Sequence, residues 1–94
     1  MKNLTEAPNI GKTLAGKLNQ AGIHSLDELR ETGSENALLC IREFDQSACF
    51  SMLCALEGAI QGIRWHHLSD ARKNELKQFL YHNNISIAPL AGSK

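Results

Sequence analysis

Residues 47–62, "SACFSMLCALEGAIQG", constrain this chain more than any other stretch. At helical spacing their apolar side chains fall nearly all round the axis, and a helix of that kind must be enclosed by others. With 94 residues there is one domain to build, so the remainder of the chain has to supply the enclosure. An apolar fraction of 43% is enough for that. So short a chain buries proportionately little surface, however, and its margin of stability is modest. Leu53, Leu56 and Ile60 are expected at the centre. Ser47, Ser51, Ala55 and Gly58 form a strip of small residues where a neighbouring helix can approach closely.

The flanking segments carry helix start and stop signals and no sustained strand alternation. Ile10, Leu14, Leu18 and Ala21 recur at steps of four, four and three, which makes one helical face. Gly22 suits the left-handed position after a helix, with Ile23 packing back onto Leu18. In "SLDE", Ser25 caps the next helix and Glu28 completes a capping box, with Asp27 and Glu28 at the positive end of the helix dipole. That helix stops near Gly33. Ser34 then reads as the cap of "ENALLCIREF", whose Ala37, Leu38, Ile41 and Phe44 share a face. The last helix starts at Ser69, turns Ala71, Leu76, Phe79 and Leu80 inward, and ends at Asn83 and Asn84, which tolerate left-handed geometry. The expected fold is all-α, a compact bundle of about five helices with a hairpin-like turn at its N-terminus. Residues 1–84 form the single domain and residues 85–94 a flexible tail.

Ten basic and ten acidic residues cancel, which argues against bulk attraction to nucleic acid. The charges are unevenly placed. Residues 1–24 carry three lysines against Glu6, residues 25–57 seven acids against Arg30 and Arg42, and residues 58–94 five bases against two acids. An acidic middle thus lies between two basic ends.

The three cysteines, Cys40, Cys49 and Cys54, are odd in number and sit inside apolar helical patterns, which points to a reducing cytoplasm. Cys49 and Cys54 diverge on a helix, and the adjacent His66 and His67 point apart, so no zinc spacing is present. No metal, cofactor or small-molecule substrate is expected. Neither a membrane-length apolar run nor a signal peptide is visible, which adds to the cytoplasmic expectation. Phosphate-binding-loop and serine-hydrolase signatures are missing, and no nucleophile accompanies the one unusual acid, Glu57. The chain is expected not to be an enzyme.

Two stretches stand out. The first is "APNIGKTLAGKL". A helix-hairpin-helix motif holds nucleic-acid backbone by aiming hairpin amides and a helix N-terminus at a phosphate, and it usually reads Pro-Gly-Ile-Gly. Pro8, Asn9, Ile10, Gly11, Lys12 and Thr13 resemble it, with Asn9 in place of the first glycine. Asparagine still reaches positive φ. In this reading Gly11 allows close backbone approach, Lys12 and Lys17 supply charge, and Thr13 adds a hydroxyl. Lys12 opposes the helix dipole by roughly 0.3–1 kcal/mol, a penalty that a bound anion reverses. The other reading is a purely structural joint with a solvated lysine, and both stand at this point. Only residues 2–6 are available as the first helix of such a hairpin.

The second stretch is "ALEGAIQGIRWHHL". Glu57 interrupts the most apolar helix, and Gln61 and Arg64 follow at spacings of four and seven. A buried charge needs a partner, for which Arg64 or Arg42 is expected. Trp65 is expected to clamp the last helix onto the central one.

Together with "GSENALLCIREF", these stretches resemble the C-terminal domain of the TfoX (Sxy) family over residues 4–80. The resemblance implies a helical, hairpin-related fold in a bacterial cytoplasm. The family's regulators of natural competence act with the cyclic-AMP receptor protein, and they carry another domain ahead of this one. A stand-alone relative is the expectation here, with DNA, a transcription regulator or a second copy of the chain as partner. No catalytic residues come with the resemblance. The rival expectation is a protein-interaction module whose hairpin only joins helices.

Overall fold

The computed structural model describes residues 3–85, and every regular element in that range is helical. A short 3-10 turn at Leu4–Glu6 leads to α1 (Lys12–Gln20), α2 (Leu26–Thr32), α3 (Ser34–Arg42) and α4 (Phe50–Gln61). A second 3-10 turn, Trp65–His67, precedes α5 (Asp70–His82). The part of the expected tail at residues 86–94 lies outside the described residues. Ile85, by contrast, is buried.

Local signals place the helix ends. The Ser25 hydroxyl accepts from the Glu28 amide at 3.1 Å, and Glu28 accepts in turn from the His24 amide at 2.6 Å. The Ser69 hydroxyl caps α5 through the Arg72 amide at 3.1 Å. Three helices stop by one device. Gly22, Gly62 and Asn84 adopt positive φ, and the isoleucine after each donates its amide to a carbonyl five residues back. The bonds run from Ile23 to Leu18 at 2.8 Å, from Ile63 to Gly58 at 2.9 Å and from Ile85 to Leu80 at 2.9 Å. Each satisfies a carbonyl the helix leaves open, and the isoleucine packs against the core.

α4 is the enclosed helix, packed against α2, α3, α5 and the second 3-10 turn, while α1 lies against α3. Leu53, Cys54 and Leu56 are fully buried. Ile60 is only half-buried, because it borders an open recess beside Arg30 and Gly33. Phe44 lies past the end of α3 and is 40% exposed. There the Phe44 and Asp45 amides both turn back to the Ile41 carbonyl, and the chain leaves the helical face. Ala71 is also exposed, since the inward row of α5 runs through Arg72, Leu76 and Leu80 and leaves Ala71 to one side. Among the described residues no helix is long and apolar enough to cross a membrane.

Candidate functional site

Residues 7–11 carry the chain from the first 3-10 turn into α1. Asn9 takes φ 71°, the left-handed conformation that the glycine-like position demands. Its carboxamide then turns into the protein. Nδ2 donates to the Ile63 carbonyl at 3.0 Å and the Ala55 carbonyl at 3.5 Å, and Oδ1 accepts from the Trp65 amide at 3.1 Å. Gly58 makes room for this. A Cβ there would stand 2.5 Å from Asn9 Nδ2 and 2.8 Å from the Ile63 carbonyl oxygen. The small-residue strip of α4 therefore receives an asparagine side chain at Gly58 and not a neighbouring helix.

Asn9 has two duties that one substitution separates. Asn9→Gly keeps positive φ accessible and removes the latch, so chemical denaturation should show a loss of about 1–2 kcal/mol with the fold retained.

Gly11 caps α1 in an extended conformation (φ −95°), and a Cβ at that position would meet nothing within 4 Å. No side chain caps this helix, and its first turn holds no acid. The amides of Lys12, Thr13 and Leu14 have no acceptor within the helix. The N-terminus of α4, capped by Cys49, also lacks a side-chain cap and a first-turn acid. Both helix ends border one open recess of about 400 Å³, lined by Gly11, Lys12, Thr13, Lys17, Ser51 and Met52 among others.

Lys12 and Thr13 are exposed, and Lys12 has no ion-pair partner among the described residues. Lys17 instead donates to the Asp45 carboxylate. That bond, aided by the Ser47 hydroxyl and amide, holds the Asp45 carboxyl down at about 2. Of the five residues picked out for a phosphate, four meet at this recess and Asn9 faces away from solvent. Of the two lysines, Lys12 offers the unshared charge.

Glu57 is 8% exposed, as a structural acid should be, but its partner is not Arg64 or Arg42. Arg72 of α5 donates to it from Nη2 at 3.1 Å, the Ser34 hydroxyl at 2.7 Å, and Gln61 Nε2 at 2.7 Å. Arg64 follows Gly62, whose left-handed turn takes the chain off the helix, so a spacing of seven no longer means a shared face. Ser34 likewise differs from expectation. It is the first residue of α3, with Gly33 at the cap, and its hydroxyl serves the carboxylate. Burial alone would raise Glu57, but hydrogen bonds from Arg72, Gln61 and Ser34 outweigh it and hold the carboxyl below its ordinary range. The hydrogen bond to Glu57 raises Arg72 correspondingly, with Glu75 and Glu35 adding to it. Arg72 had one sequence signal, as a cation heading the apolar row of Leu76 and Leu80. Every buried side-chain nitrogen and oxygen among the described residues has a partner. A fully satisfied ion pair of this kind ties α3, α4 and α5 together.

Trp65 is not enclosed between helices as expected: it is 38% exposed and stacks on His66 with ring centroids 4.2 Å apart, while Leu68, three residues on, is buried in the core. Cys40, Cys49 and Cys54 are free thiols, and burial pushes Cys54 up. Among the described residues no cluster of three or more histidine, cysteine, aspartate or glutamate side chains is placed to hold a metal.

The family model described as the TfoX C-terminal domain matches residues 1–80 of the chain. Two crystal structures from Listeria monocytogenes are similar to it throughout. One, of an uncharacterized protein in a triclinic form, is 51% identical with a TM-score of 0.85, covering 92% of this chain and 98% of its own. The other, of a protein of unknown function in a tetragonal form, is 52% identical with a TM-score of 0.81, covering 89% and 100%. No curated protein matches.

Proposed function

The chain belongs to the TfoX C-terminal domain family, and on that premise we propose that it is a non-enzymatic binding domain whose 8–12 turn and α1 N-terminus hold a phosphodiester backbone. The observation that carries the proposal is the recess itself. Two helix N-termini without side-chain caps or first-turn acids border it, and an unpaired lysine stands at its edge. Partial positive charge at helix ends and free amides are what a phosphate needs. Gly11 fits the same purpose, since neither its backbone conformation nor crowding calls for a residue without Cβ.

Phosphate contacts orient a protein on nucleic acid without reading its bases. One free lysine and two helix ends make for weak binding, in the range of about 10⁻⁴–10⁻⁶ M, with a salt slope equivalent to about one or two phosphates. Occupancy of a promoter at such affinity requires a second protein. The reading therefore places this domain beside a transcription regulator in competence-type control, adding backbone contacts to that partner's sequence readout.

The test is a titration of labelled duplex DNA at two salt concentrations. Lys12→Glu should weaken binding about tenfold or more, because it replaces attraction to a phosphate by repulsion. Lys12→Glu is preferred to a change at Lys17, whose loss would also strand Asp45. Equal binding by a folded Lys12→Glu protein would reduce the turn to a joint between helices.

A further inference from the structure

Beside the 8–12 turn lies a feature that phosphate binding does not use. The second 3-10 turn and the Arg64 that precedes it present Arg64, Trp65, His66 and His67, all exposed. Trp65 is the one tryptophan of the chain, and at 38% exposure it contributes less to the core than its size allows. Its ring stacks on His66, with an interplanar angle of 26°. Arg64 makes no ion pair among the described residues.

The position of this aromatic pair is fixed. Asn9 Oδ1 accepts from the Trp65 amide at 3.1 Å, and the Trp65 Cα lies against Gly58, 3.2 Å from where a Cβ would stand. Asn9 is two residues from Gly11, a distance that extended chain spans in about 7 Å. One asparagine thus ties the backbone of Trp65 to the turn that leads into α1.

We propose that Trp65 and His66 form a stacking platform for unpaired bases, so that the domain prefers single-stranded nucleic acid to duplex. The proposal rests on the phosphate-binding reading of the adjacent turn and adds the class of strand. Aromatic rings hold bases of any sequence through their faces, and a neighbouring cation such as Arg64 reinforces the contact. In a duplex those base faces are already stacked on each other. A strand whose backbone runs over Gly11 and Lys12 has its bases free to reach the neighbouring rings.

Trp65 is its own reporter. Wild-type protein is titrated with a thymidine oligonucleotide of about 12 residues and with a duplex of the same strand length, following tryptophan fluorescence and the anisotropy of a label on the DNA. The single strand should bind roughly tenfold more tightly than the duplex and quench Trp65. Trp65→Leu, with helicity checked by circular dichroism, should bring single-strand affinity down to that of duplex and leave duplex binding unchanged. His66→Ala should move in the same direction and serves where Trp65→Leu does not fold. Equal wild-type affinity for both, an unquenched Trp65 in the bound state, or a Trp65→Leu loss shared equally by both overturns the platform while the hairpin reading stands. Absence of binding to either DNA at low salt overturns both.

Discussion

Arg72→Met should cost about 3 kcal/mol, lowering Tm by roughly 12–24 °C in a domain of this size. The side chain of Arg72 reaches across from α5 to a carboxylate that is itself 8% exposed. Removing it leaves Glu57 charged, enclosed and held only by Ser34 and Gln61. Two further measurements separate this mechanism from a simple packing defect. The first is pH. In the wild type the folded Glu57 carboxyl lies below its ordinary value of 4.5. Its stabilising contribution is therefore full above that value and is lost as pH falls through the lowered folded value. In Arg72→Met, burial is no longer outweighed and the folded value rises, so the carboxyl takes up a proton early on acidification. The stability gap between the two proteins should be widest near neutral pH and narrow at about pH 4 and below. The second measurement is the double variant. Arg72→Met with Glu57→Gln should be more stable than Arg72→Met alone, because the stranded charge is gone. A gap that does not change with pH would show that Arg72 matters through its aliphatic stem.

The same substitution at two glycines should have opposite signs. Gly16 sits on the exposed side of α1, and a Cβ there meets nothing within 4 Å. Gly16→Ala should stabilise by roughly 0.5–1 kcal/mol, the ordinary gain from removing a glycine inside a helix. Gly58 is also helical, with the same gain on offer, yet Gly58→Ala should destabilise by about 2–3 kcal/mol net. The new methyl group meets the Asn9 carboxamide and the Ile63 carbonyl, and the second of these is backbone held by the end of α4. The penalty should shrink in an Asn9→Gly background, where one of the two collisions is absent, but should not vanish. Thermal melts of the four proteins in that cycle, with Gly16→Ala as control, check the argument. A neutral Gly58→Ala would show that the 8–12 turn is not seated on α4.

The helices were legible because their signals are local. Ser25 with Glu28, Gly22 with Ile23, and the apolar row Leu14 and Leu18 each lie within a turn or two of chain, and the fold keeps them all. Long-range pairing was not legible in the same way. Glu57 announced itself as a buried acid, but the identity of its partner depends on how α5 crosses α4, which periodicity along one helix does not encode. Arg64 is not that partner because Gly62 ends the helix between them. Ser34 is ambiguous in sequence for a related reason, since a serine after a glycine fits equally well as cap or as first residue. For Asn9 the sequence shows the backbone role and not the destination of the side chain. Its carbonyl and amide partners lie 46 to 56 residues further along the chain. Tryptophan usually turns inward, and the exposed pairing of Trp65 with His66 depends on the 3-10 geometry of that turn.

The isoleucine stops at the ends of α1, α4 and α5 restrict where a chain like this can change length. One residue inserted within α4 would rotate everything after it by about 100°. That rotation would take Ile63 off the core, and with it the carbonyl that Asn9 grips. An insertion within α1 would displace Ile23 in the same way. The stretch between α3 and α4 has no isoleucine stop; its tether is Asp45, held by Lys17 and by the Ser47 hydroxyl and amide, while Glu43, Phe44, Gln46 and Ser47 are exposed. Insertions and deletions among family members should therefore collect there, and loop grafts or tags placed inside the chain should be best tolerated at residues 43 and 44, ahead of the Asp45 tether.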